Sequence, residues 1–228
     1  MAINLSKGQR FNLSKAPTEG SAPQGISEFC VGVNWGAINT SGDGGCFGGG
    51  ESQIDIDLDL SCILMKRDGT FDCVYSPAYR ANFLSQYDLP AGRLVSKDGA
   101  LVHSGDDTEG DDGGVDDGLD NEVIAVNLAR VSSEVQSIYF FLNNVGAEDF
   151  SAIPFAAIRM YEGTPTMVNS IHAEFNVNSD PAYSGCRAIV MGKLTRGAAG
   201  EWDFETIGAA RKDENIAVTA RAIISGQV

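Results

Sequence analysis

The chain has 228 residues, of which 43% are hydrophobic, so it is long enough to bury one core of ordinary size. It carries 31 Asp and Glu against 16 Lys and Arg, which gives a formal net charge of −15 at pH 7. Because contacts with phosphates require clustered cations, this balance argues against nucleic acid as a partner and against adhesion to anionic lipid. Cations, basic partners or simple solubility remain as explanations of the negative charge.

The sequence contains no recognisable targeting signal, and a mature chain that has lost its original signal remains the alternative. Its first 15 residues lack the apolar segment of a secretory signal, and no apolar run approaches the roughly 18 residues of a membrane span. The odd number of cysteines and the absence of a C-x-x-C pair indicate reduced thiols rather than a disulfide framework or a zinc ribbon. We therefore expect a cytoplasmic protein without membrane insertion. The cysteines are Cys30, Cys46, Cys62, Cys73 and Cys186.

Short hydrophobic runs separated by turn residues predict a mainly β chain, an all-β sandwich of two antiparallel sheets with one or two short helices. The dipeptide Asp68-Gly69 predicts a hairpin between two of the strands. Weak helical patterns occur at 128–135 and 213–224. The predicted strands are 28–35, 54–67, 71–75, 122–128, 137–142, 153–161, 167–175, 187–195 and 201–207.

Two segments interrupt this pattern like insertions. Residues 36–53 are rich in glycine and predict a flexible loop, which lacks the Lys and Ser/Thr of a phosphate-binding loop. Residues 76–100 combine two prolines with several aromatic residues, and the pattern assigns them no element. Since no linker divides the chain, we predict a single domain over 1–228 with insertions near 36–53 and 76–100.

The most informative stretch is 105–122, which holds nine carboxylates and no Lys or Arg. Two carboxylates about 4 Å apart repel by about 4 kcal/mol at an effective dielectric of 20. An ordered arrangement of several therefore requires a cation, and Ca²⁺, with its six to eight oxygen ligands, suits such a cluster. The spacing is not that of an EF-hand, and a hydrated, disordered acidic loop remains the alternative.

A second acidic element precedes this stretch. In 54–60 aspartate alternates strictly with Ile and Leu, so a strand would place Asp55, Asp57 and Asp59 on one face. An ordinary solvent-facing strand is the alternative, although such faces usually mix Lys and Thr with acids. An aspartate row opposite an acidic loop predicts a cation site built from two separate parts of the chain.

The order of the motifs resembles the TerD family of tellurium-resistance and chemical-stress proteins. The opening INLSKGQRFNLSK resembles the family's L-x-K-G segment, and DIDLDLSCIL resembles its D-L-D-x-S element. LVHSGDDTEG resembles H-x-G-D-N, and DNEVIAVNL resembles D-D-E with the strand that follows. FCVGVNW, IPFAAIRMY and GEWDFETIG are similar to further strands of the family, so the resemblance covers most of the chain.

This resemblance implies a β-sandwich that binds calcium in an acidic loop region and serves a stress response without known catalysis. Residue by residue, it implies ligands in the D-x-D pair, in G-D-N with Asp in place of Asn, and in the first and last carboxylates of D-D-E. Protein partners or a homo-oligomer are expected from the insertions rather than from the resemblance, because extra loops often build contacts. The implied ligands are Asp57, Asp59, Asp106, Asp107, Asp120 and Glu122, with the main-chain carbonyl of Gly105.

The chain also departs from the family pattern. The family usually has Trp-Asp after its second strand, whereas this chain has Trp35-Gly36, and the loop between Gly110 and Asp120 is longer. Asn143 and Asn144 lie where the family has a polar loop near the metal region, and they either supply oxygens or end a strand.

The sequence therefore supports two hypotheses from different classes. The first is a non-enzymatic calcium-binding protein of the TerD type, in which calcium orders the acidic loop for a partner. The second is a structural subunit that self-associates through its insertions. Zinc is disfavoured because the chain has only two histidines and no cysteine cluster beside them. His103 is expected to donate hydrogen bonds that hold the acidic loop.

Overall fold

The chain folds into two packed six-stranded sheets with a small two-stranded sheet beside them. The computed structural model describes residues 3–4, 8–13, 26–40, 52–111, 115–177 and 183–228. Within this part of the chain the strands pair antiparallel except for the first strand with the twelfth, and the isolated bridge between Gly36 and Asp111 is also parallel. The predicted mainly-β sandwich of two antiparallel sheets is thus confirmed.

The first sheet has the strand order β1-β12-β11-β3-β9-β8. Its strands are β1 (Ile3–Asn4), β3 (Glu28–Trp35), β8 (Leu101–His103), β9 (Glu122–Asn127), β11 (Ala156–Thr164) and β12 (Met167–Asn176).

The second sheet has the order β2-β14-β13-β10-β6-β7, and β4 pairs with β5 in the small sheet. The strands of these two sheets are β2 (Arg10–Asn12), β4 (Ile38–Thr40), β5 (Ser52–Ile54), β6 (Leu58–Lys66), β7 (Phe71–Val74), β10 (Val135–Asn144), β13 (Ala188–Arg196) and β14 (Trp202–Arg211).

The main core lies between the two large sheets. Along β6 the side chains of Leu58, Leu60 and Cys62 enter this core, and they are fully buried. Trp35, at the end of β3, is also fully buried, and its indole Nε1 donates to the carbonyl of Ile56 at 2.6 Å. Alternate residues of each strand therefore fill the space between the sheets, as the period of two in the sequence predicts.

The outer face of the second sheet is covered by two elements. The helix α2 (Ile216–Ile224) packs Ile216, Ala220 and Ile223 against it, in agreement with the helix predicted at 213–224. Beside α2 lies the segment 76–89, which we call the covering segment; it contains the short helix α1 (Ala81–Leu84) and a single 3-10 turn. Leu84 and Leu89 anchor this segment in the same apolar cluster. Among the described residues, neither helix is long and apolar enough to cross a membrane.

Most predicted strands are confirmed within a few residues, but the single strand predicted at 54–67 is wrong. The structure divides it into β5, which ends at Ile54, and β6, which begins at Leu58. The carbonyl of Ile56 accepts the Trp35 indole at 2.6 Å instead of a strand amide, and this contact separates β5 from β6. The bond from the Val145 amide to the Asp57 carbonyl at 2.9 Å continues the β10–β6 register. Asp68-Gly69 does connect β6 to β7, and Gly69 has a φ of 81° there.

The helix predicted at 128–135 is also wrong, because 128–134 form turns and bends and Val135 already begins β10. The guanidinium of Arg196 donates to the carbonyls of Val131 and Ser132 at 3.1 Å and to that of Val135 at the same distance. These carbonyls are therefore satisfied by a side chain from β13 rather than by a helical ladder, a tertiary contact that the local pattern does not contain.

The glycine-rich segment is partly ordered. The flexible loop predicted at 36–53 begins and ends with β4 and β5, which pair through Ile38 and Ile54. Residues 41–51 lie outside the described residues, so the prediction for that part, including Cys46, stays a prediction. The unassigned segment 76–100 forms the covering segment and an isolated bridge between Tyr75 and Arg93.

The start of α2 provides a test of the fold. Asn215 caps the helix, since its side-chain oxygen accepts from the amides of Ala217 and Val218 at 3.0 and 3.2 Å. We expect Asn215→Ala to lower the free energy of unfolding by about 1 kcal/mol, because two amides lose their acceptor. Urea unfolding measures the change, with exposed Lys212→Ala as the control. Equal stability of both variants would contradict the capping role.

The described thiols are all buried. Cys30, Cys62, Cys73 and Cys186 are free and lie inside the structure. Burial raises the pKa of the Cys30 thiol and raises that of Cys73 to about 12. The thiols of Cys30 and Cys73 consequently stay protonated and unreactive in the folded protein.

Candidate metal centre

Three carboxylates from separate parts of the chain meet at one end of the sandwich. Asp59 belongs to β6, Glu122 begins β9, and Asp106 lies in the acidic loop that joins β8 to β9. One oxygen from each lies within 4.8 Å of the others. We call Asp59, Asp106 and Glu122 the inner cluster. It joins the two acidic elements singled out in the sequence.

Glu122 forms the floor of the inner cluster and is fully buried. Its Oε2 accepts the amide of Leu60 in β6 at 2.6 Å, and its Oε1 accepts the amide of Asp107 at 3.2 Å. One carboxylate therefore connects the second sheet, the first sheet and the acidic loop. Such bonds to amide donors favour the ionised carboxylate and partly offset its burial.

His103 holds the start of the acidic loop. Its Nδ1 accepts the amide of Gly105 at 3.0 Å, while Nε2 lies 2.9 Å from the carbonyl of Leu60 and 3.5 Å from Glu122 Oε2. These contacts correspond to a neutral ring protonated on Nε2. Both ring nitrogens are occupied by these contacts. His103 therefore holds the loop as predicted, but it accepts the loop amide of Gly105 instead of donating to the loop.

Burial disfavours charge on Asp57, Asp59 and Glu122, and repulsion from neighbouring carboxylates adds to this effect at the two aspartates. The pKa of Asp57 rises to about 6, first through burial and then through Asp106, Glu122 and Asp107. That of Asp59 rises to about 8, mainly through burial, with Glu122 and Asp57 adding to the effect and a hydrogen bond from Tyr79 opposing it. Burial also raises the pKa of Glu122. A bound cation would remove this unfavourable interaction.

One acceptor beside the inner cluster has no partner. The Oδ1 atom of Asp57 is buried and accepts no hydrogen bond from the described residues. A buried carboxylate oxygen without a donor is costly, so it marks a place where a ligand is expected. Asp57 therefore offers one more carboxylate oxygen to a cation bound at the inner cluster.

A second group of carboxylates lies further along the acidic loop. Asp111, Asp116 and Asp117 place one oxygen each within 4.8 Å of one another, and we call them the outer cluster. The fully buried amide of Asn34 in β3 donates to Asp116 at 2.7 Å, and Asn121 donates to Asp111 at 3.2 Å. The outer cluster is thereby fixed to the first sheet.

The acidic loop is attached to the end of β3 by backbone contacts. The amide of Asp111 donates to the carbonyl of Trp35 at 2.9 Å, and the amide of Ala37 donates to the carbonyl of Asp111 at 3.3 Å. Gly110 has a φ of 72°, and a Cβ there would lie 2.4 Å from the Trp35 indole nitrogen. Only glycine fits this close approach. The part of the loop described here is thus ordered.

Asp120, predicted as a ligand, is not part of the inner cluster. It lies over Gly32, where an added Cβ would come within 2.1 Å of its Oδ2. Its Oδ1 accepts from Arg159 Nε at 2.8 Å and from another guanidinium nitrogen at 2.7 Å. Both side chains are buried, and burial nevertheless raises the pKa of Asp120 to about 6. Asp120 therefore has its own cation in Arg159.

The structure brings together most of the residues predicted as ligands. Asp57, Asp59, Asp106 and Glu122 interact at one place, with Asp107 beside them. The backbone of Gly105 is held next to them by His103. Asp120 stands apart with Arg159, and Asp55 is exposed.

The two asparagines considered from the sequence are both buried. Asn143 lies opposite Asp59 in the β10–β6 register and donates to Thr219 of α2 at 3.0 Å. Asn144 shapes the following turn, since it donates to the carbonyl of Glu148 and accepts the amide of Gly146, both at 2.8 Å.

Three residues that contact the carboxylates of this region are not among those predicted from the sequence. Arg159 and Asn34 are single polar residues inside apolar strands, and that interruption was a usable signal. Tyr79, which donates to Asp59 Oδ2, lies in a segment whose pattern predicts no element, so no local signal identified it.

Comparison with known proteins assigns the family. The sequence profile of the TerD domain matches residues 1–221. The chain belongs to the TerD family. The resemblance drawn from motif order is thereby confirmed, and the D-x-D, G-D-D and D-N-E segments of this TerD-family chain are those that supply the inner cluster.

Several relatives match this TerD-family chain over nearly its whole length. The tellurium resistance protein TerZ of Serratia marcescens is 32% identical, over 94% of this chain and 93% of that protein. The stress response protein SCP2 of Bacillus subtilis strain 168 is 30% identical, over 95% and 96%. The crystal structure of a TerD homologue from Streptomyces coelicolor A3(2) superimposes with a TM-score of 0.55 at 16% identity, over 86% of this chain and 96% of that one, which supports the fold.

Proposed function

We propose that the protein is a non-enzymatic, calcium-binding stress-response protein whose inner cluster holds a Ca²⁺ ion. The observation that carries the proposal is the meeting of Asp59, Asp106 and Glu122, from β6, the acidic loop and β9, within 4.8 Å. Sequence-distant carboxylates with unfavourable mutual interactions are brought together by the fold, and a hard cation supplies the missing attraction.

The donor set fits calcium in its chemistry. Every side-chain donor at the inner cluster is a carboxylate, and Asp57 adds a buried oxygen that lacks a partner. Ca²⁺ prefers such oxygen ligands and accepts an irregular arrangement, whereas zinc sites favour nitrogen and sulfur. Asp57, Asp59, Asp106 and Glu122 would hold the ion, with Asp107 and the Gly105 carbonyl completing its surroundings.

The same contacts support a binding role rather than catalysis. The nitrogen atoms of His103 are engaged with Gly105 and Leu60, so the ring is not free to accept a proton from a substrate. Calcium would supply charge neutralisation at this place. The consequence is an acidic loop fixed between the two sheets, which could then present a defined surface to a partner.

The outer cluster extends the proposal to a second, more exposed cation. Asp116 and Asp117 are exposed and Asp111 is buried, and burial raises the pKa of Asp111. Asn34 and Asn121 already orient two of these carboxylates. Because its ligands are better solvated, this site would bind calcium more weakly than the inner cluster.

The stress-response part of the proposal rests on family membership and on the names of the relatives. TerZ carries tellurium resistance in its name, and SCP2 is named a stress response protein. The free, buried thiols support a cytoplasmic location. Since the described thiols are shielded, we place the stress role in calcium-dependent partner binding rather than in thiol chemistry.

Calorimetric titration with calcium tests the proposal. The wild-type protein is expected to bind calcium and to gain about 2.7 kcal/mol of stability at one hundred times the dissociation constant. Asp106→Asn removes one charged donor from an exposed position and is expected to weaken binding at least tenfold without unfolding the protein. Asp55→Asn is the matched control, because Asp55 is exposed and lies outside both clusters.

Two results would contradict the proposal. One is the absence of binding heat and of any rise in melting temperature at millimolar calcium. The other is equal calcium affinity in the Asp106→Asn and Asp55→Asn variants.

A further inference from the structure

Tyr79 links the inner cluster to the covering segment. Its hydroxyl donates to Oδ2 of Asp59, and Asp59 itself is buried with only 4% of its surface exposed. The Tyr79 ring packs edge-on against Tyr75, with the ring centroids 6.3 Å apart. The bond therefore comes from a packed side chain rather than from a freely moving one.

The hydrogen bond leaves Asp59 able to serve as a ligand. A carboxylate has two oxygens, and Tyr79 binds one of them. Among the described residues no other donor reaches Asp59, so its second oxygen is available to a cation. A neutral hydroxyl that holds one oxygen of a ligating carboxylate fixes the orientation of the other, which is how outer partners tune metal sites.

The covering segment is attached to the body of the protein independently of Tyr79. Leu84 and Leu89 are buried in the apolar cluster on the outer face of the second sheet, where Ile63 of β6 and Ile216 of α2 also lie. These contacts hold the segment in place when the Tyr79 hydroxyl is removed. Loss of that hydroxyl should accordingly leave the fold intact.

We propose that Tyr79 is a positioning residue that orients Asp59 for the bound cation and makes the covering segment respond to calcium. This inference rests on the proposed calcium site. When a cation fixes Asp59, the acceptor of the Tyr79 hydroxyl becomes fixed as well, and the segment 76–89 loses part of its freedom to open. The effect of calcium binding thus extends to the surface beside α2, on the face of the second sheet that points away from the main core.

The test compares Tyr79→Phe with Tyr87→Phe. Both variants keep an aromatic ring in the covering segment, but the Tyr87 hydroxyl forms no hydrogen bond with the described residues, while its ring packs on Phe83 at 5.5 Å. Calcium affinity is measured by calorimetry, and amide hydrogen exchange of 76–89 is measured with calcium and with EGTA. Melting temperatures in EGTA report any purely structural damage.

Tyr79→Phe is expected to weaken calcium binding about tenfold and to abolish calcium-induced protection of 76–89, with the EGTA melting temperature close to that of wild type. Tyr87→Phe should behave as wild type. Wild-type affinity together with wild-type protection in Tyr79→Phe overturns the inference and leaves the calcium site standing. Failure of the wild-type protein itself to bind calcium overturns the proposed function, and this inference with it.

Discussion

Replacing Arg159 by methionine is expected to lower the free energy of unfolding by about 3–5 kcal/mol at pH 7.5, because Asp120 would remain buried without its cation. The loss should be smaller at pH 5.5. Burial raises the pKa of Asp120 to about 6 even with Arg159 beside it. Without Arg159 the pKa would rise further, so the Asp120 carboxyl would be largely protonated, and hence neutral, at pH 5.5. Urea unfolding at both pH values measures the difference.

The double variant Arg159→Met/Asp120→Asn separates the buried charge from the lost packing. It should recover most of the stability, since no uncompensated charge remains. Arg10→Met serves as the surface control, because Arg10 pairs with Glu205 while its side chain is 74% exposed, and it should have a much smaller effect. A double variant no more stable than Arg159→Met would show that the ion pair is not the cause.

Without calcium, the protein is expected to lose stability as the pH rises from 5 to 8. The pKa of Asp57 lies at about 6 and that of Asp59 at about 8, both above the ordinary value. The native state therefore binds more protons than the unfolded state in this range, and its stability falls by up to about 1.4 kcal/mol per pH unit for each such group. Calcium favours the ionised carboxylates, so it should flatten the decline.

Thermal or urea unfolding at pH 5, 6, 7 and 8, in EGTA and in calcium, measures this dependence. Asp59→Asn should remove much of the decline between pH 6 and 8 in EGTA, whereas Asp55→Asn should follow the wild-type curve. The carboxylates with lowered pKa values, such as Asp68 and Asp149, lose their stabilising effect only at lower pH. Stability in EGTA that increases from pH 5 to 8 would contradict the electrostatic description of the inner cluster.

The sequence predicted the sheets well because their signal is local. The alternation of β6 side chains between the main core and the outer face, and the hairpin at Asp68-Gly69, follow from residue spacing and turn preference alone. The two errors have a common cause. The break at Ile56 and the turns at 128–134 arise where the side chains of Trp35 and Arg196 bind backbone carbonyls across large sequence separations.

The candidate site was predictable in its composition and only partly in its arrangement. A carboxylate-rich loop and an aspartate repeat suggested that two acidic elements meet, and Asp59 and Asp106 do so. That Asp120 would turn toward Arg159 depends on the register of β3 and β11, which places Arg159 opposite Gly32. Pairing between strands so distant in sequence is not encoded in any local pattern.

The shielded thiols offer a practical reporter on this protein. In a Cys46→Ser variant, the remaining cysteines are the four buried ones, so an alkylating reagent can modify them only after part of the sandwich opens. Cys73 lies under the outer face of the second sheet and Cys30 in the first. Identifying which of the two is labelled earlier would show which half of the molecule separates first during unfolding.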